Sequence, residues 1–144
     1  MAITQALPNS FKKQLLDGDQ DFSSAGGDKF KLALYVSTAT LGAATTSYTT
    51  SGEVSSSGTN YTTGGLPLVN SGTSVVSTVA FTDFADLSFQ NVTLTARGAL
   101  IYNTSFSNSA VAVLNFGADK TATSGTFTIQ FPAFTSSAAI IRIS

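Results

Sequence analysis

From Val92 to Tyr102 every second side chain is apolar or small. Val92, Leu94, Ala96, Gly98, Leu100 and Tyr102 share one parity, while Thr93, Thr95, Arg97 and Asn103 share the other. Side chains alternate faces along a strand, so the run predicts a ribbon with one buried face and one face of hydroxyls and a guanidinium. Ala99 and Ile101 break the polarity of that second face. Just upstream, the apolar Leu87 and Phe89 are odd-numbered, so the phase slips at Gln90-Asn91 and predicts a bulge or tight turn there. A straight strand over 92–102 would be about 36 Å long, beyond the usual length. Gly98 is the expected point of bending.

The same reading places the other elements. Pro8, Asn9 and Ser10 open a helix over Leu7 to Asp17 that Gly18 ends, with Phe11, Leu15 and Leu16 as a narrow apolar stripe. So short a helix must dock on something to persist. Phe30, Leu32, Leu34 and Val36 mark a first strand. Long loops anchored by Tyr48, Val54 and Tyr61 follow, then an extended stretch at Leu66–Asn70 that Pro67 assigns to a sheet edge. Val75, Val79 and Phe81 read as one strand face, with a turn before Leu87. The segment AVAVLNF at 110–116, apolar on both faces, predicts a central strand. Gly117 to Gly125 reads as a loop with Asp119-Lys120 at a hairpin tip. Phe127, Ile129 and Phe131 mark another strand, and an apolar strand closes the sequence at Ala139–Ile143. Eight or nine strands with Gly-containing turns predict an all-β fold, an antiparallel β-sandwich of jelly-roll or immunoglobulin-like topology with a short N-terminal helix and arm.

Charge sharpens the division. The 144 residues carry fifteen charged side chains, and eight of them fall in the first 31 positions. From Leu32 to Thr82, a span of 51 residues, Glu53 is the sole charge. The chain therefore divides into an N-terminal arm, residues 1–28, and a nearly uncharged β-domain, residues 29–144. A net charge of −1 offers no electrostatic attraction for nucleic acid or anionic lipid. Without Cys there is no disulfide or thiolate metal site, and without His the commonest general base and metal ligand are missing. The first residues lack the basic and apolar regions of a signal peptide, and no apolar run approaches the roughly 18 residues that suggest a membrane span. A soluble protein with no nucleic-acid or membrane partner is expected.

Three blocks carry a resemblance: DKFKLALYVSTATLGAATTSYTTSGEV at 28–54, DFADLSFQNVTLTARGALIYN at 83–103, and AVAVLNFGADKTATSGTFTIQFP at 110–132. With MAITQAL at the start and AAIIRIS at the end, they resemble small virion-associated structural proteins of tailed bacteriophages. The resemblance implies a non-enzymatic component of a phage particle, made in the bacterial cytoplasm and located in the virion. A capsid decoration (cement) protein is the first expectation, and a minor tail, fibre or host-adsorption component the alternative. The implied partners are the major capsid protein or other virion proteins and further copies of the chain, with a trimer favoured. On this reading Phe11, Leu15, Leu16 and Arg97 are the candidate interface residues.

The remaining chemistry is sparse. Asp17, Asp19, Asp21 and Asp28 have the spacing that opens a calcium loop, but Phe22 stands where the sharp turn needs Gly and the final ligand is a short Asp. The pattern favours a solvated acidic connector, and no metal or cofactor is expected. Gly117-Ala-Asp-Lys-Thr lacks the upstream glycine spacing of a phosphate loop. An acid-pair glycosidase needs two facing carboxylates, and Glu53, Asp83, Asp86 and Asp119 are the acids of the β-domain. Arg97 pairs with an acid of a partner subunit, pairs internally with Asp83 or Asp86 as the candidate acids, or stands exposed on the Thr-rich face.

Overall fold

The structure, a computed structural model, describes residues 2–144. Helix α1 spans Asn9–Asp17 and is followed by seven strands. These are β1 (Phe30–Tyr35), β2 (Leu66–Pro67), β3 (Asn70–Val76), β4 (Val79–Phe84), β5 (Leu87–Asn103), β6 (Ser109–Ile129) and β7 (Ile141–Ile143). All strand pairs are antiparallel and form two sheets, in the orders β2-β1-β5-β6 and β3-β4-β7. The fold is mostly antiparallel β with one short helix, as the periodicity predicts.

Gly18, at φ 80°, ends α1 in the left-handed conformation that glycine adopts without a Cβ penalty. Its N–H bonds Leu15 O at 3.3 Å, and the Asp19 N–H bonds Gln14 O at 2.9 Å, satisfying two carbonyls of the last turn. Five phenylalanines join the N-terminal residues to both sheets. Phe11 meets Phe22 edge-on with ring centroids at 6.0 Å, and Phe22 stacks on Phe30 of β1 at 4.7 Å. Phe30 then meets Phe84 of β4, which in turn meets Phe131. The large core they belong to also takes Leu32, Ile101 and Val111 from the four-stranded sheet and Ile141 from the three-stranded one.

A smaller core lies on the opposite face of the four-stranded sheet, where Ile3, Ala39 and Leu41 cover Ala33, Tyr35, Leu100, Tyr102 and Val113. This second layer explains why Ala99 and Ile101 break the expected polarity. Val92, Leu94 and Ala96 face the large core, whereas Leu100 and Tyr102, of the same parity, face the small one. Ala99 and Ile101 take over the large core. The exchange happens at Gly98, where the β5–β6 register shifts. A Cβ at Gly98 would lie 2.4 Å from Leu114 O and 2.9 Å from the Ile3 side chain, so the backbones approach there as only glycine permits. The predicted slip at Gln90-Asn91 is also present, as a register shift between Phe89 and Val92 with Asn91 at φ 54°.

Other expectations are corrected. Gly117–Gly125 is not a loop, and Asp119-Lys120 is not a hairpin tip: β6 runs unbroken from 109 to 129. Its alternation is hidden by two register irregularities, opposite Arg97 and opposite Thr93, the latter beside Ser124 at φ 46°. The segment 110–116 is buried on both faces only over 110–113, and it lies in an edge strand, not a central one. Its outer edge is closed by the chain's own residues through the Ala6–Val113 pair. Val75 and Val79 do not share one strand: they lie on either side of the β3–β4 turn. Phe116 and Phe127, eleven positions apart on β6, lie with ring centroids 6.1 Å apart, so the strand is far from straight between them.

Candidate interaction surface

The sequence-derived interface residues scatter. Phe11 is fully buried in the large core and Leu15 packs partly against it, while Leu16 is 91% exposed. Arg97 pairs with Asp119 at 2.9 Å, across the β6 irregularity, rather than with Asp83 or Asp86. Both partners are part-exposed (37% and 49%), so water screens the pair. Arg97→Ala is expected to change stability by less than about 1 kcal/mol in a denaturant titration. If the variant folds but fails to assemble, Arg97 belongs to a contact surface; if it unfolds, the side chain is structural.

The acidic connector is used for folding. Asp28 accepts from the Asp21 N–H at 3.0 Å and from Asn103 Nδ2 at 2.7 Å, and Asn103 is buried at the end of β5. Asp17 pairs with Lys13 one helical turn away. Asp21 accepts from the Ser23 N–H, and hydrogen bonding to the Ser23 side chain, reinforced by that backbone N–H, holds its carboxyl below the usual value. Among the described residues, no three acidic side chains gather in a way that could hold a metal ion.

Glu53 is the hub of a cluster the sequence reading did not find. Its carboxylate accepts from Tyr48 Oη at 2.6 Å, Tyr61 Oη at 2.7 Å and the Gly64 N–H at 2.7 Å. Tyr61 Oη also accepts the Leu34 N–H, and Tyr102 Oη donates to Gly64 O at 2.6 Å while its ring stacks on Tyr48. Tyr35 donates to Thr49 O. All four tyrosines of the chain thus fasten the long loops between β1 and β2 onto β1 and β5. Two sequence signals were available: a single acid in a long uncharged span, and tyrosines as its recurrent anchors.

Asp83 is fully buried in β4. One carboxylate oxygen accepts the Phe84 N–H at 2.9 Å, and the other has no hydrogen-bond partner among the described residues. Burial raises its pKa above the ordinary value, against the lowering effect of nearby backbone N–H groups. A raised carboxyl pKa means that the folded chain takes up a proton before the unfolded chain does, so this group adds stability as pH falls through its folded value. Asp83→Asn keeps the acceptor for Phe84 and removes the charge. The variant is expected to melt above the parent at pH 7, with the gap closing as pH falls to about 4. A gap independent of pH would show that the charge is not the cause.

The surface has two further features. Leu16, Val69, Val75, Val76 and Ile143 expose aliphatic side chains. A groove of about 540 Å³ lies along β6, rimmed by Leu114, Phe116, Ile129, Pro132 and Ile140 with Gln5, Lys120 and Thr128 among its polar groups. It contains no acid. No described helix is long and apolar enough to cross a membrane. Comparison with protein-family models, curated proteins and solved structures returns no match to this chain.

Proposed function

We propose that this chain is a non-enzymatic structural protein of a phage virion, and specifically a capsid decoration protein that binds the head lattice as a homo-oligomer, with a trimer favoured. The observation that carries the reading is the surface: charges are few, and aliphatic side chains stand exposed on α1, before β3, on the β3–β4 hairpin and on β7. Such a surface suits contact with other protein better than solvation of an isolated monomer. The resemblance of the 28–54, 83–103 and 110–132 blocks to virion-associated proteins supports the same reading. The two sheets sharing the phenylalanine core form an open sandwich in this view. Many modest contacts repeated over a lattice would hold a shell through multivalency.

Electron cryo-microscopy of purified particles tests it. Density for the chain at regular positions over the head supports decoration. Density confined to the tail supports the second reading, a tail, fibre or adsorption component. Particles without the protein would refute both.

A further inference from the structure

Sheet edges present unpaired N–H and C=O groups that template the addition of another strand unless something guards them. Four strands lie at edges here: β2, β6, β3 and β7. Strand β2 is two residues long and ends in Pro67, which has no N–H to offer. Strand β7 is three residues long and carries Arg142. The first part of β6 is covered by residues 3–6 and by the Ser47–Ser109 bridge. Its middle is interrupted by two register irregularities and carries Asp119 and Lys120. At the start of β3, Asn70 is tied to the connector through Ser23 O and Asp28 O, and Gly72 lies against Ser24.

Among the described residues this leaves two unguarded stretches, Thr126–Ile129 and Thr73–Val76. Each is uncharged, lacks Pro and is rich in side chains that favour strands. Beside the first lies the β6 groove, where Leu114, Phe116 and Ile140 are left half-covered at the margin of the large core. Beside the second, Val75 and Val76 are 66% and 52% exposed.

We infer that the Thr126–Ile129 edge of one copy takes the Thr73–Val76 edge of a second copy, joining the four-stranded sheet of one molecule to the three-stranded sheet of the next. A row of alternating backbone donors and acceptors selects an extended polypeptide as occupant, and side chains entering the adjacent groove select its sequence. The aliphatic groove margin, with Lys120 its one charged side chain, matches the valines of β3 and disfavours a cationic segment. Because the two edges differ, the contact is heterologous: each copy uses both, and the assembly closes into a ring when the rotation permits. The inference deepens the oligomeric part of the reading above and rests on that part alone. A monomeric free chain found on particles would sink this contact and leave the virion role standing, whereas absence from particles would do the reverse.

Sedimentation velocity on the full chain tests it. The parent is expected to sediment as an oligomer. Val75→Lys sets a second cation beside Lys120 and is expected to weaken association about tenfold or more. Val75→Ala, which removes only aliphatic contact, is expected to weaken it less. A parent that stays monomeric at all concentrations, or a silent Val75→Lys, would overturn the contact. Because the chain has no cysteine, the Val75→Cys/Thr128→Cys variant gives a second readout. Intermolecular disulfide-linked species under mild oxidation are expected, and their absence would count against it.

Discussion

Replacing Phe11 by alanine is expected to cost about 3–5 kcal/mol of folding stability. The ring is fully buried between helix α1 and the core and meets Phe22 edge-on. Its removal leaves a cavity at the head of the phenylalanine series that ties the N-terminal residues to both sheets. Leu16→Ala, five residues along the same helix, is expected to change stability by less than about 0.5 kcal/mol, because that side chain projects into solvent. Denaturant titrations of the two variants separate the roles. Equal effects would mean that the helix docks by another face.

Glu53→Ala is expected to cost about 3 kcal/mol, since it strands two tyrosine hydroxyls and one backbone N–H that now bond a carboxylate. Glu53→Gln, which keeps an acceptor oxygen, should lose less. The cluster also sets the response to alkali. Burial, reinforced by the Glu53 charge, raises the phenol of Tyr102 to about 12 and pushes those of Tyr35, Tyr48 and Tyr61 higher still. An ordinary tyrosine ionises near 10. The folded chain therefore holds these protons longer than the unfolded chain does. That stability is fully present below about pH 10 and is lost as pH rises toward and past 12. Thermal melts across this range should fall steeply for the parent and less steeply for Glu53→Ala. Parallel slopes would remove Glu53 from the account.

Parity made part of this legible and concealed the rest. The odd-to-even slip between Phe89 and Val92 and the glycine at 98 each forecast a real irregularity in β5, because a strand on a core must keep its apolar side chains pointed inward. The same logic failed on β6, where two irregularities within ten residues erase the alternation and leave a Ser/Thr/Gly string that reads as loop. It failed again for Arg97. The acids close to it in sequence, Asp83 and Asp86, are engaged elsewhere, one buried and one accepting the Phe131 N–H. The partner, Asp119, is brought in by the β5–β6 hairpin from 22 positions away. Nor does any local spacing announce the Glu53 cluster, because its geometry depends on two loops folding back over β1 and β5. Phe11 shows the opposite case: a helical stripe is equally consistent with a core and with a partner, and only the packing decides.

The pairing of Ala6 with Val113 bears on how the chain is made. Residues 3–6 are synthesised about a hundred positions before the strand whose edge they cover. At roughly 5–20 residues per second, that is a wait on the order of 5–20 s. During most of this interval Ile3 can meet Leu41 but not Gly98, Leu100 or Val113, which complete its surroundings. The edge of β6 is sealed by a segment made long before it, so its cover is already available when that edge is synthesised.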